Sequence, residues 1–226
     1  MNNAGCIGFG LAMLLTACSG EQAHLPADCR VLPPAATISD MTTDDGRGVA
    51  YLTYLNHTPN PEGKLPTGTV MLVDLNAAEP RVRAALVSEP PDFRPTALAL
   101  YVPKDGARRL IVAGAETIYV FEQTPSGEFA LVNTVKNPLL ANPTAVTVTG
   151  PDQFAVTSIP PPPKGWSAIF TRTNATVVSY DGTNTTTRVV EAGMLPASSV
   201  PALSAHGRTL VMGSTPDHQL LLCDTK

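Results

Sequence analysis

The sequence predicts an all-β protein: a β-propeller of four-stranded blades, with about four blades legible and the ring closed by pairing of the N- and C-terminal strands. Three observations support this. Apolar stretches are short, rich in Val, Leu, Ile, Thr and Tyr, and bounded by Gly, Pro, Asp or Asn, with no sustained helical period. These stretches recur in a constant order. Proline (22) and glycine (17) are frequent and spread along the chain, which suits short strands joined by turns.

The repeated unit has a short first strand, a turn with Gly or Pro-Asp, a second strand and an apolar third strand that ends near an acidic residue. The first three units continue into a fourth strand, and the fourth unit does not. The predicted strands are, unit by unit, 36–41, 49–55, 69–75 and 82–87; 96–101, 109–114, 118–122 and 129–135; 144–149, 154–158, 176–181 and 187–190; and 200–203, 209–213 and 220–224. A unit of four strands that recurs roughly every 45–60 residues is typical of a β-propeller. A β-sandwich is the alternative.

The spare strand at residues 29–32 explains how the fourth unit is completed. Propellers often close their ring with a strand from one terminus that pairs into a blade from the other. Pairing of 29–32 beside the last strand would bring Cys29 near Cys223, and an oxidising compartment would favour a disulfide between them. Two free thiols are the alternative.

The N-terminus predicts export and lipidation. Residues 4–16 are apolar but too few to span a bilayer, and they lead into Leu15-Thr16-Ala17-Cys18, the lipobox pattern of bacterial lipoproteins. The predicted organisation is a signal peptide at 1–17, a lipidated Cys18 with a tether to residue 28, and a propeller domain at 29–226. Acyl chains on Cys18 would anchor the protein to a membrane, and Ser19 favours the outer membrane and its periplasmic face. An ordinary cleaved signal is the alternative.

The composition excludes two classes of protein. Hydrophobic residues make up 43% of the chain and charged residues 15%, which argues against intrinsic disorder. The net charge is −4, and no run of Lys and Arg is longer than Arg108-Arg109, so we expect no nucleic-acid partner.

Several segments share a pattern with a known family, and they are 68–75, 79–82, 93–95, 109–112, 118–122, 148–154, 210–214 and 220–223. These segments resemble the paraoxonase/arylesterase family of gluconolactonase-like β-propellers. They cover residues 29–158 well and 176–224 moderately. The resemblance implies a propeller that in the family has six blades, two calcium ions in a central tunnel, and hydrolysis of lactones and aryl esters.

The family's tunnel positions are occupied here by other residues. Ser39-Asp40 matches its Glu-Asp pair, and Thr96, Thr144 and Ser199 fall where it has His or Asn ligands. Asp40 alone survives, as a remnant calcium ligand. Calcium needs six to eight oxygen ligands, usually including several carboxylates. We therefore predict a hydroxyl-lined tunnel of Ser39, Thr96, Thr144 and Ser199, no catalytic residue and no resident cofactor, with calcium as the alternative.

A stiff proline segment, Pro160, Pro161, Pro162 and Pro163, precedes Trp166, the single tryptophan of the chain. An exposed Trp166 beside it would form a contact surface, and a buried Trp166 would instead be core. The resulting hypothesis is a membrane-anchored, non-catalytic module that binds a protein or small-molecule ligand. A calcium-dependent arylesterase or lactonase and a truncated, decayed family copy are the alternatives.

Overall fold

The computed structural model describes residues 29–32, 38–55, 59–140, 142–158, 174–191, 202–205, 208–212 and 220–224. The predicted signal peptide and lipidated tether lie outside these residues. The described residues form strands joined by turns and loops, and they include no helix, as the sequence predicts. Accordingly, this part of the chain offers no helix long and apolar enough to cross a membrane.

The strands of the described residues form four-stranded antiparallel sheets. The first sheet contains β2 (Met41–Asp44), β3 (Val49–Tyr54), β4 (Thr69–Asp74) and β5 (Val82–Ala84). The second contains β6 (Ala97–Tyr101), β7 (Arg109–Gly114), β8 (Thr117–Gln123) and β9 (Phe129–Lys136). The third contains β10 (Pro143–Gly150), β11 (Gln153–Ser158), β12 (Asn174–Tyr180) and β13 (Thr185–Glu191). In each of these sheets the strands lie side by side in chain order.

The fourth sheet joins the two ends of the described chain. It contains β14 (Ala202–Ala205), β15 (Arg208–Met212) and β16 (Leu220–Asp224), and β1 (Cys29–Leu32) pairs antiparallel with β16. The register places Cys29 directly opposite Cys223. The predicted pairing of the N- and C-terminal strands is therefore observed.

The first unit departs from the prediction at its start. Its first strand begins at Met41, whereas the sequence predicts a strand over 36–41. The amides of Ser39 and Asp40 donate to the side-chain hydroxyl of Thr53 at 3.1 and 2.8 Å, in place of a strand carbonyl. A side-chain acceptor thus interrupts the regular ladder at this point.

The first three sheets pack face to face, and the alternation of side chains along β7 shows how. Leu110 and Val112 belong to a core shared with the first sheet, whereas Ile111 and Ala113 belong to a core shared with the third. Because successive strand residues point to opposite faces, one apolar strand supplies both cores. The second sheet therefore lies between the first and the third.

The core between the first two sheets is rich in aromatic side chains. Tyr51 of β3 meets Phe129 of β9 edge to face, with ring centroids 5.3 Å apart, and Phe93 lies 5.9 Å from Phe121 in a similar arrangement. All four residues are fully buried. Such pairs contribute about 0.5–1.5 kcal/mol each beyond the burial of their area.

The first strands of the sheets also contact one another. Strand β2 contacts β6 of the second sheet and β14 of the fourth, and β6 contacts β10 of the third. Contacts between first strands therefore join the second sheet to the first and to the third, and the first sheet to the fourth.

Two adjacent arginines of the second unit reach the sheets on either side. Arg108 forms an ion pair with Asp44 at the end of β2, whose side chain is 1% exposed. Arg109 pairs with Asp152, in the turn between β10 and β11, and with Glu122 at 2.9 Å. Because neighbouring residues of an extended chain point in opposite directions, the pair Arg108-Arg109 fastens the second sheet to both neighbours.

Candidate functional site

Asp40 lies just before β2, and both oxygens of its carboxylate accept backbone hydrogen bonds. Oδ1 accepts from the amide of Met41 at 2.9 Å. Oδ2 accepts from the amide of Leu98 at 2.8 Å, and Leu98 belongs to β6 of the second sheet. The carboxylate therefore links the first two sheets where their first strands meet.

Hydrogen bonds with Thr53 fix the backbone at Asp40. Its hydroxyl accepts the amides of Ser39 and Asp40 and donates to the Asp40 carbonyl at 3.2 Å, while its own amide donates to the same carbonyl at 3.0 Å. Thr53 is fully buried near the end of β3. Thr53 was not predicted from the sequence as a site residue, although a threonine within an otherwise apolar strand is a local feature that could have indicated it.

Burial controls the ionisation of Asp40. It raises the pKa of this carboxyl above its usual range, and the amides of Leu98 and Met41 oppose that effect because they stabilise the charged form. An ionised carboxylate with both oxygens engaged by amides is suited to holding two strands together. No group of three or more His, Cys, Asp or Glu residues suited to a metal ion occurs among the residues described.

The predicted tunnel hydroxyls bond to the neighbouring strand of their own sheet. The Thr96 hydroxyl donates to the Ala113 carbonyl at 3.2 Å, and the Thr144 hydroxyl donates to the Thr157 carbonyl at 3.3 Å. Thr96 is half-buried and Thr144 is exposed. Like the Thr53 contact, each bond joins the start of a first strand to the end of the second strand.

The third sheet repeats the arrangement with a serine. The Ser158 hydroxyl, at the end of β11, accepts the amide of Asn142 just before β10 at 3.1 Å, and Ser158 is 1% exposed. Thr53 and Ser158 therefore occupy matching places, since each caps the amides that precede the first strand of its unit. This recurrence was not predicted from the sequence.

Other predicted site residues fall outside the described residues. These are Ser199, the lipidation residue Cys18, and the proposed contact surface of Pro160, Pro161, Pro162, Pro163 and Trp166. Cys29 and Cys223 are described as paired strand positions. The structure thus brings Ser39 and Asp40 together with Thr53. Thr96 and Thr144 lie at the starts of the first strands of the next two sheets, as Ser39 and Asp40 do in the first sheet.

Neither a protein-family model nor a curated protein matches the chain.

Proposed function

We propose that this chain is an exported lipoprotein, attached to a membrane through acyl chains on Cys18, that binds a protein or small-molecule ligand without catalysing a reaction. Its sheets would form a small, paraoxonase-like β-propeller of four blades. The observation that carries the non-catalytic part of the proposal is the engagement of both Asp40 oxygens by the amides of Met41 and Leu98. Asp40, the one acidic residue retained at the family's tunnel positions, would therefore have a structural role.

The propeller arrangement is supported by three features. The described sheets are four-stranded and antiparallel, and β1 completes the sheet that contains the last strands of the chain. The first strands β2, β6 and β10 contact in sequence, and β2 also contacts β14. Radially repeated four-stranded sheets with their first strands innermost are the architecture of a propeller.

A non-catalytic role is supported by the chemistry of the hydroxyls that join the first and second strands of the first three sheets. Hydrolysis needs a polarising metal or a nucleophile activated by a nearby base. The Thr53, Thr96 and Thr144 hydroxyls donate to backbone carbonyls. Their protons are thus directed to neutral acceptors that do not activate an oxygen for attack.

The full-length lipoprotein, purified in a non-ionic detergent, provides the test of this reading. We expect a cooperative thermal transition with the same Tm in calcium and in chelator, and no turnover of phenyl acetate or a simple lactone. Asp40→Ala should lower the Tm equally under both conditions. A calcium-dependent rise of several degrees that Asp40→Ala abolishes, together with ester turnover, would establish the hydrolase alternative. Insoluble protein with no cooperative transition would establish the decayed copy.

Lipidation has its own test in labelled cells. Protein carrying Cys18 should incorporate a radiolabelled fatty acid, and Cys18→Ser should not. Cys6→Ser is the matched control, because Cys6 lies within the predicted signal peptide and should leave the incorporation unchanged. Label retained in Cys18→Ser would contradict the anchor.

The cysteine pair can be tested by alkylation. Directly opposed residues of an antiparallel pair have Cα atoms about 4.5–5.5 Å apart, which a disulfide can bridge. Cys29 and Cys223 should therefore be alkylated in denatured protein only after reduction. Alkylation of both without reductant would contradict the disulfide.

A further inference from the structure

We infer that a cleft between the first two sheets, lined by Arg94 and Lys64, binds a small organic carboxylate with an apolar substituent. This inference rests on the proposed binding function and names a ligand class for it. The cleft has a volume of about 280 Å³. One wall is the loop at 63–67, between β3 and β4, and the other is formed by Asp92 and Arg94, ahead of β6.

The walls of the cleft are held in place by hydrogen bonds that backbone amides donate. The side-chain oxygen of Asn60 accepts the amides of Glu62 and Lys64 at 3.1 and 2.8 Å, which fixes the loop. At the base of the loop, the Gly68 amide donates to the Phe93 carbonyl at 2.6 Å. A Cβ at Gly68 would lie 2.6 Å from Pro95, so only glycine permits this close approach. The cleft is therefore built into the junction of the two sheets.

Arg94 is the group that would bind the anion. It is half-buried, and its one hydrogen bond within the described residues runs from Nη1 to the Pro66 carbonyl at 3.2 Å. None of the ion pairs of the described residues includes it. A guanidinium has five N–H donors in a planar fork that matches a carboxylate, so most of its donors are available to a ligand.

The charged side chains that line the cleft sum to one positive charge. Lys64 and Asp92 pair with each other at 3.5 Å, and both side chains are exposed, at 68% and 81%. Because that exposed pair is weak, Lys64 is able to turn to an incoming anion. The nearby carboxylate of Glu89 accepts a hydrogen bond from the Thr69 hydroxyl at 2.7 Å and does not line the cleft.

The size and the apolar part of the lining limit the ligand. Leu65, which is 41% exposed, and Pro66 add an apolar surface beside the two cations. Ligand sites of drug-sized molecules usually measure roughly 300–1,000 Å³, so this cleft is suited to a smaller molecule. A carboxylate on a single ring or a short aliphatic chain meets both conditions.

The experiment compares benzoate with its neutral isostere benzamide, by equilibrium dialysis against the full-length lipoprotein in non-ionic detergent. We expect saturable binding of benzoate, no saturable binding of benzamide, and no displacement of benzoate by an equal concentration of inorganic phosphate. Arg94→Gln should weaken benzoate binding by about ten- to hundredfold, because a charge-assisted hydrogen-bonding pair is lost. Lys64→Gln should weaken it by about threefold.

The variants separate a binding effect from a folding effect. Lys64→Gln alters an exposed side chain outside the core, so its effect is readable even if Arg94→Gln unfolds. Arg81→Gln is the matched control, because Arg81 is 85% exposed and lies outside the cleft, and it should bind as the wild type does. Equal binding of benzoate and benzamide, displacement by phosphate, or wild-type affinity in both cleft variants would overturn the inference. Absence of benzoate binding with a calcium-independent Tm would remove this cleft and leave the proposed function standing.

Discussion

Replacing Asp40 with alanine should destabilise the protein by about 1–3 kcal/mol, because the change removes the acceptor of two backbone amides. The amide of Leu98 is the more costly one to leave without a partner, since Leu98 is 3% exposed and lies between two packed sheets. Removing the carboxylate also relieves its own desolvation, which keeps the net loss below the sum of two charge-assisted hydrogen bonds. For a domain of this size, the loss corresponds to a decrease in Tm of about 2–12 °C.

Equilibrium denaturation and thermal unfolding followed by circular dichroism measure this loss. Asp40→Asn keeps one acceptor oxygen and should fall between the wild type and Asp40→Ala. Asp105→Ala is the control, because Asp105 is exposed in the loop between β6 and β7 and should change the stability by less than about 0.5 kcal/mol. A variant Asp40→Ala as stable as this control would refute the argument that the carboxylate joins the first two sheets.

Three further predictions follow from the same contacts. Arg108→Ala should cost about 3 kcal/mol of unfolding free energy, since it leaves the carboxylate of Asp44, 1% exposed, without its cation; an unchanged midpoint in denaturant would contradict this. Thr53→Val should cost about 1–3 kcal/mol through the loss of a buried acceptor of two amides, whereas the exposed Thr134→Val should be neutral in the same titration. Burial raises the pKa of Asp40 above 3.8, so the folded protein binds more protons than the unfolded chain at pH values between 3.8 and the folded-state pKa. The stability that Asp40 contributes should therefore be greatest below pH 3.8 and decrease as the pH rises through the folded-state pKa; a pH profile for Asp40→Asn identical to that of the wild type would exclude this.

The sheet architecture could be predicted because its signals are local and repeated. Short apolar runs separated by turn residues predicted the strands of each unit, and the unpaired run at 29–32 predicted the partner of β16. The start of β2 was less predictable. Ile38 is apolar, so the sequence predicts it to belong to the strand. The strand begins only at Met41, because the hydroxyl of Thr53 binds the amides that precede it. The local sequence pattern does not predict a hydrogen bond to a side chain that lies 14 residues away along the chain.

The site was predicted less well than the fold, because burial and partners decide what a polar residue does. Asp40 was singled out by resemblance as a remnant calcium ligand, and its position alone did not reveal that Leu98 and Met41 occupy its oxygens. Arg108-Arg109 was read as evidence against a basic patch, and its role in fastening sheets depends on Asp44 and Asp152 from other units. Such partners are distant in sequence, so periodicity does not predict them.

The spacing of Asp40 and Asp44 accounts for the position of β2. The two residues stand four apart along extended chain, so their side chains lie on the same face of the strand and about 13 Å apart. Both are bound by the second sheet, Asp40 by the amide of Leu98 and Asp44 by Arg108. The four-residue strand β2 is thus attached to the second sheet at both of its ends, which fixes both its translation and its tilt relative to that sheet. With only one attachment, β2 would be joined to the second sheet at one end alone, although it stays paired with β3 in its own sheet. The double variant Asp40→Ala with Arg108→Ala should therefore lose more stability than the sum of the single variants, and strict additivity would show that the two attachments act independently.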